Sequence, residues 1–224
     1  RQMCIRDSYF VETQGKQDGM NQAFYAVREC EDDICFTSDR GRIWCYQKKS
    51  GEFRLHELPT KARITSIHAV GNDNTVVTTD SDGFFLSNLK TNKHIHYSPV
   101  TCKELSDQPI LSAYVDRTSE VWFEQEEPGV VVHFNPATGV VKREQMRVEY
   151  SNADRSRPAF HIHEDIHGHV WVHPYGGGFS YFDRERNCLV PFYDDLGSNN
   201  WRFSNKIHAA FSDKQGNLWL CTHS

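Results

Sequence analysis

The sequence contains no apolar run approaching the roughly 18 residues that cross a bilayer as a helix, so nothing in these 224 residues reads as a membrane span. It has no excess of positive charge. The formal net charge is −5, which makes nucleic acid and anionic membranes poor electrostatic partners for this region. Its cysteines include no C-x-x-C pair, so neither a zinc knuckle nor a thioredoxin-type site has support. Its glycine triplet, Gly176, Gly177 and Gly178, lacks the lysine and following helix of a phosphate-binding loop. No signal peptide is visible. What the chain does have is aromatic side chains, 12% against a modest 38% hydrophobic total. That balance suits a protein built of strands better than a helical bundle.

The first residues, RQMCIRDS (1–8), resemble the translated mosaic end of a sequencing-library adaptor, with a true strand as the alternative. They are set aside from fold reasoning as a processing scar. The chain then reads as an open-ended piece, and the missing signal peptide carries no information about location. Excluding Cys4 leaves six cysteines, an even count that permits disulfides. Cys35, Cys45 and Cys221 stand in apolar, strand-like runs (DICFTS, RIWCYQ, LWLCTH) and are expected to be buried thiols.

One pattern recurs. FHIHEDIHGHVWVHP, from Phe160, aligns without a gap on HAAFSDKQGNLWLCT, from His208. Asp165 matches Asp213, Gly168 matches Gly216 and Trp171 matches Trp219. LSAYVDRTSEVWFEQ fits the same frame with Asp116 and Trp122. Weaker copies place Val77 and Cys35 where the tryptophan falls. The five anchors recur about every 42 to 49 residues, the period of propeller blades. Each copy runs strand, Asp-x-x-Gly turn, aromatic strand, Gly-led strand, outer strand. Asp caps the turn and Gly supplies its backbone freedom. The expected fold is an all-β, partial β-propeller of about four to five four-stranded blades. The blades are placed near 21–58, 62–100, 108–147, 158–195 and, incomplete, 205–224. Trp122, Trp171 and Trp219 share one blade position and are expected to pack, buried, between neighbouring blades.

The stretches IHEDIHGHVWVHPYGGGFSYFDRER and IHAAFSDKQGNLWLCTHS resemble the two-component regulator propeller repeat, V-x-x-I-x-E-D-x-x-G-x-x-W-x-x-T-x-x-G-G-G-x-x-x-F-D. The likeness covers most of 21–224. It departs at His173-Pro174, where the family has a small residue and Thr, which marks an atypical loop. The resemblance implies a periplasmic sensor region of a hybrid histidine kinase. It further implies a glycan or oligosaccharide as ligand, a homodimeric parent, no cofactor, and a membrane helix and kinase modules elsewhere in the parent.

The same frame bears on the five histidines from His161 to His173. They fall on variable or turn positions of a generic blade. His161 and His163 share a strand face, while His167 and His169 flank Gly168 and are expected to splay. A metal needs about four ligands converging at about 2.0–2.3 Å, and a turn followed by a strand does not gather all five. No metal site is expected. Histidines that titrate near neutrality could still tune ligand binding.

Loops carry recognition more often than strands do. Tyr175 adjoins the glycine triplet, and Trp201 and Arg202 lie on a connection between two blades. They combine apolar ring faces with hydrogen-bond donors suited to sugar hydroxyls. His173 joins them as a ligand-binding candidate, with Pro174 holding the adjacent backbone extended. The acidic runs ECEDD and EQEEP could supply glycosidase carboxylates, but they read as solvated turns, so no catalytic residue is assigned. Two alternatives remain. A propeller lyase or glycosidase would need a His and an acid converging at the channel mouth. A WD40-like scaffold would carry Asp-His-Ser-Trp tetrads and W-D strand endings, which are not evident.

Overall fold

The computed structural model describes residues 24–30, 32–71, 73–146, 161–173, 179–191 and 207–222. The reading of residues 1–8 lies outside them, as do Tyr175, Trp201 and Arg202. Every regular element among the described residues is a strand. The first blade is β1 (Ala26–Cys30), β2 (Asp33–Thr37), β3 (Arg42–Gln47) and β4 (Phe53–Glu57). The second is β5 (Ile64–Ala69), β6 (Asn74–Thr79), β7 (Phe84–Asn88) and β8 (Lys93–Tyr97). The third is β9 (Ile110–Val115), β10 (Val121–Gln125), β11 (Val130–Asn135) and β12 (Val140–Gln145). The fourth is β13 (His161–Glu164), β14 (Val170–His173), β15 (Ser180–Asp183) and β16 (Cys188–Pro191). β17 (Ile207–Ser212) and β18 (Leu218–Thr222) form a two-stranded sheet. Each blade is an antiparallel meander in chain order. This is the expected all-β propeller pattern.

First strands stand beside one another, β1 by β5, β5 by β9 and β13 by β17. The first turns of the blades therefore share one rim. Arg117, in the β9–β10 turn, ties it to the β13–β14 turn: its Nε lies 2.6 Å from Glu164 Oε1, and its Nη2 donates to Asp165 O at 2.5 Å. His163 Nε2 and Ser212 Oγ, 2.8 Å apart, link the fourth blade to β17.

Interior blades are apolar on both faces, because each has a neighbour on either side. Along β10, Val121 and Phe123 join a core with Val76, Phe84 and Leu86 of the second blade. Trp122, between them in sequence, turns the other way onto Val170, Val172 and Phe182 of the fourth. Period-2 alternation thus assigns alternate residues to different interfaces.

That alternation corrects one alignment. Val77 was expected at the tryptophan position, but Val77 faces the first blade with Ile43 and Cys35, whereas Trp122 faces the blade that follows. Val76 faces the following blade and holds the tryptophan's place. The turn bonds agree: Val70 N–H donates to Asn74 O as Asp116 N–H does to Glu120 O. Val70 therefore replaces the turn aspartate where Val76 replaces the tryptophan.

Two burial expectations also fail. Trp219 is 54% exposed and Cys221 is exposed. Both project from the face of β18 against which no described element packs. Trp171 is half-buried, and Trp122 alone of the three is fully enclosed.

Gly83 makes the β6–β7 turn possible. Its φ is 65°, and a Cβ there would meet Tyr97 O at 2.1 Å. Gly83→Ala combines a left-handed penalty of about 1–2 kcal/mol with displacement of the backbone of β8. A loss above about 2 kcal/mol is expected, read as a lower urea midpoint at unchanged slope.

Candidate functional site

The repeated turn is a local device. In the three copies built on Asp116, Asp165 and Asp213, the aspartate Oδ1 accepts backbone N–H groups two and four residues ahead. The partners are Thr118 and Glu120 at 2.9 and 3.1 Å for Asp116, and His167 and His169 at 2.9 and 2.9 Å for Asp165. For Asp213 they are Gln215 and Asn217 at 3.0 and 2.9 Å. The other oxygen, Oδ2, accepts the indole N–H of Trp122, Trp171 or Trp219 at 3.0, 3.0 and 2.9 Å. Burial works to raise the Asp165 pKa, but donation from Trp171 and His169 outweighs it and holds the carboxyl at about 2. At Asp213 the Trp219 and Asn217 donors do the same, again to about 2. At Asp116 burial is outweighed by Thr118, Trp122 and Arg184, so its pKa is lowered. These carboxylates stay ionised at neutral pH and serve as turn staples, not proton donors.

The histidines are drawn into the same framework. His169 Nδ1 lies 2.9 Å from Asp165 Oδ2, the position that Asn217 Nδ2 takes at 2.8 Å on Asp213. The rings of His167 and His169 stand 6.2 Å apart, inclined by 53°. Among the described residues no group of three or more His, Cys, Asp or Glu converges as metal ligands would. His173 is the last residue of β14, 2% exposed, with its ring edge-on to Phe179 at 6.4 Å. It is a strand-interior residue and not part of an open loop.

A His–acid pair that sequence reasoning missed joins His133 to Glu120 at 3.0 Å. Glu120 also accepts Asn135 Nδ2 at 2.7 Å and Arg184 Nη1 at 3.3 Å. Arg184 in turn reaches Asp116 Oδ2 at 3.0 Å, so the group bridges the third and fourth blades. Burial depresses the His133 pKa against the pull of Glu120. His133 lies on β11, the third strand of its blade, away from the inner strands. The network acts as an inter-blade tie.

A cleft of about 390 Å³ opens between the first two blades, on the rim of the first turns. Sites for small molecules begin at roughly 300 Å³. One wall carries Asp33, Gln47, Arg54 and His56, with Cys35 and Cys45 beneath; Asn74 and Thr75 face them from the second blade. At its edge Lys49 pairs with Asp32 at 2.6 Å and Lys90 with Asp73 at 2.5 Å. Asp33 and Arg54 form no ion pair with another described residue. His56 titrates below its ordinary value, through burial first and Arg54 second. Alternation in DICFT and FRLHE shows that Asp33 shares a face with Cys35, and Arg54 with His56. Only the packing of blades shows that these faces border an open cleft.

Tyr175, Trp201 and Arg202 belong to segments 174–178 and 192–206, outside the described residues. The described strand ends flanking them are His173, Ser180 and Pro191. Val172 pairs with Ser180, and Ser180 with Pro191, so these strand ends lie together at one end of the fourth blade. That end is opposite the rim holding the cleft.

Comparison with known proteins agrees with this architecture. No curated protein sequence matches the chain. The extracellular domain of BT4673 from B. thetaiotaomicron, described as a hybrid two component system, superimposes with a TM-score of 0.58 at 19% identity, over 93% of this chain and 27% of that one. BT3049 from the same organism, described likewise, gives 0.55 at 16%, over 93% and 34%. A catalytically inactive virginiamycin B lyase from Staphylococcus aureus, bound to quinupristin, gives 0.63 at 13%, over 95% and 69%. The chain thus spans about a quarter to a third of the two-component relatives, and at these identities the likeness is one of fold. Residues 202–224 match the family model for the two component regulator propeller, and the described residues form the four-stranded meanders of a β-propeller fold.

Proposed function

We propose that the chain is a ligand-sensing propeller segment from the extracytoplasmic, periplasmic region of a hybrid two-component regulator. The observation that carries this reading is the two component regulator propeller match at 202–224 on a fold shared with extracellular domains of such systems. In this reading the chain binds and transmits but does not catalyse. Phosphoryl transfer belongs to other parts of the parent protein. A glycan or oligosaccharide bound at a loop-bearing rim shifts the population between two packings of a dimeric sensor. Tyr175, Trp201 and Arg202 supply ring faces and donors at that rim, while His173, buried in β14, packs beneath it. Strand interiors are committed to the inter-blade cores, whereas loops vary without unfolding a blade.

Calorimetry of the chain, and of a parent sensor region containing it, against an oligosaccharide panel tests this. The expected result is saturable binding that Trp201→Ala weakens by about 1–3 kcal/mol, the scale of an aromatic anchor, at unchanged melting temperature. Unchanged affinity in that variant would remove the site from this rim. Turnover of a panel member would replace the sensor reading with the enzyme one.

A further inference from the structure

Cys35 and Cys45 face each other across β2 and β3. The ladder fixes the kind of pair they make. Lys48 N–H donates to Asp32 O at 3.1 Å, and Ser38 N–H to Arg42 O at 2.9 Å. Hydrogen-bonded and non-hydrogen-bonded pairs alternate along an antiparallel ladder. Cys35/Cys45 lies three steps from each of those bonded pairs, so it is a non-hydrogen-bonded pair. Such pairs have Cα atoms about 4.5 Å apart and their side chains closest together. That separation lies inside the roughly 4.4–6.8 Å that a disulfide spans. Neither cysteine is in a disulfide here. Both side chains are buried, at 1% and 2% exposure, and burial in apolar surroundings ordinarily makes a thiol inert. These two also line the floor of the cleft between the first and second blades, so a local opening of the cleft floor brings a small reagent to the sulfurs.

We propose that Cys35 and Cys45 are a redox site that closes a cross-strand disulfide at the base of this cleft. Oxidised glutathione, a small-molecule disulfide, is the probe oxidant. One cysteine thiolate attacks it, forming a mixed disulfide and expelling one glutathione thiolate. The second cysteine thiolate then attacks the protein-side sulfur, forming the Cys35–Cys45 bond and expelling the second. Two protein thiols lose two protons and two electrons, and the probe is reduced to two thiols. The bond joins the two central strands of the first blade, so it restrains the unfolded chain while leaving the folded register in place. The inference rests on the ladder geometry and stands independently of any ligand or of the chain's location.

The test uses the whole folded chain, incubated with oxidised glutathione and then alkylated and digested with trypsin without reduction. Cleavage after Arg28, Arg40 and Arg42 leaves Cys30 and Cys35 together in 29–40 and Cys45 in 43–48. The bond is reported by a linked pair of these peptides, two mass units below the sum of 29–40 singly alkylated and 43–48 in its thiol form, with fragmentation placing the alkyl group on Cys30. The expected result is that linkage as the main product, with a melting temperature about 5–10 °C above that of the reduced chain. A Cys45→Ser variant, kept reduced and assayed in parallel, is expected to lose both the linkage and the redox-dependent shift. Should that variant fail to fold, the peptide linkage in the natural sequence still decides. Both cysteines alkylated after oxidation, glutathione retained on one of them, or linkage to a different cysteine would each overturn the proposal.

Discussion

Trp122→Ala lowers stability by about 3–5 kcal/mol, the cost of emptying a large, fully buried aromatic site. The indole is 0% exposed. It lies flat on His133, with ring centroids 4.0 Å apart, and meets Phe182 edge-on at 4.7 Å. Its N–H donates to Asp116 Oδ2. Truncation therefore opens a cavity at the interface of the third and fourth blades and takes one donor from a buried carboxylate that Arg184 also holds. Trp219 makes the matching bond to Asp213, but its ring is 54% exposed. Trp219→Ala is expected to cost no more than about 1–2 kcal/mol, the loss of a turn bond and partial packing. Urea denaturation of both variants checks the ordering. Equal losses would mean that the turn bond, not inter-blade packing, dominates the repeat.

The chain is also expected to lose stability as pH falls from about 6.5 to 4, above the range in which its turn carboxylates titrate. His68 carries the largest share. It is buried between the first two blades, with Arg28 Nη2 3.0 Å from its Nδ1. Burial first, and the Arg28 charge second, hold its pKa from 6.5 down to about 4. Between those values the unfolded chain has bound a proton that the folded chain excludes. Stability therefore falls with falling pH across that window and levels off below it. The difference corresponds to roughly 3 kcal/mol for His68. Burial also depresses His56, His94, His133 and His163, and each adds in the same direction. Asp165 and Asp213, depressed to about 2, stabilise the fold above about pH 4 and lose that contribution only as pH falls toward 2. Denaturation at pH 7.5, 6, 5 and 4 is compared with His68→Gln, which keeps an acceptor for Arg28 without titrating. The variant's loss is expected to be smaller by about 3 kcal/mol. Parallel curves would assign the acid sensitivity elsewhere.

The sequence by itself determined the blade repeat and its turn chemistry. Asp116, Asp165 and Asp213 reach partners two, four and six residues ahead. Such bonds depend on spacing along the chain alone, so the Asp-to-Trp spacing, with Gly168, Gly216 or Ser119 between them, is legible without a structure. The antiparallel strands follow, because each turn reverses the chain between half-buried runs. Tertiary structure decided what each strand residue faces. Val76, and not Val77, takes the tryptophan's place because the second blade turns that face toward the third. Trp122 is enclosed and Trp219 is open because a neighbouring blade covers one and no described element covers the other. Arg117 and Arg184 find partners more than 40 residues away, and the cleft lined by Asp33, Arg54 and His56 exists only where two blades diverge. A repeat specifies its own strands through local bonds, whereas burial, charge pairing and open space arise from the surface that the next blade supplies.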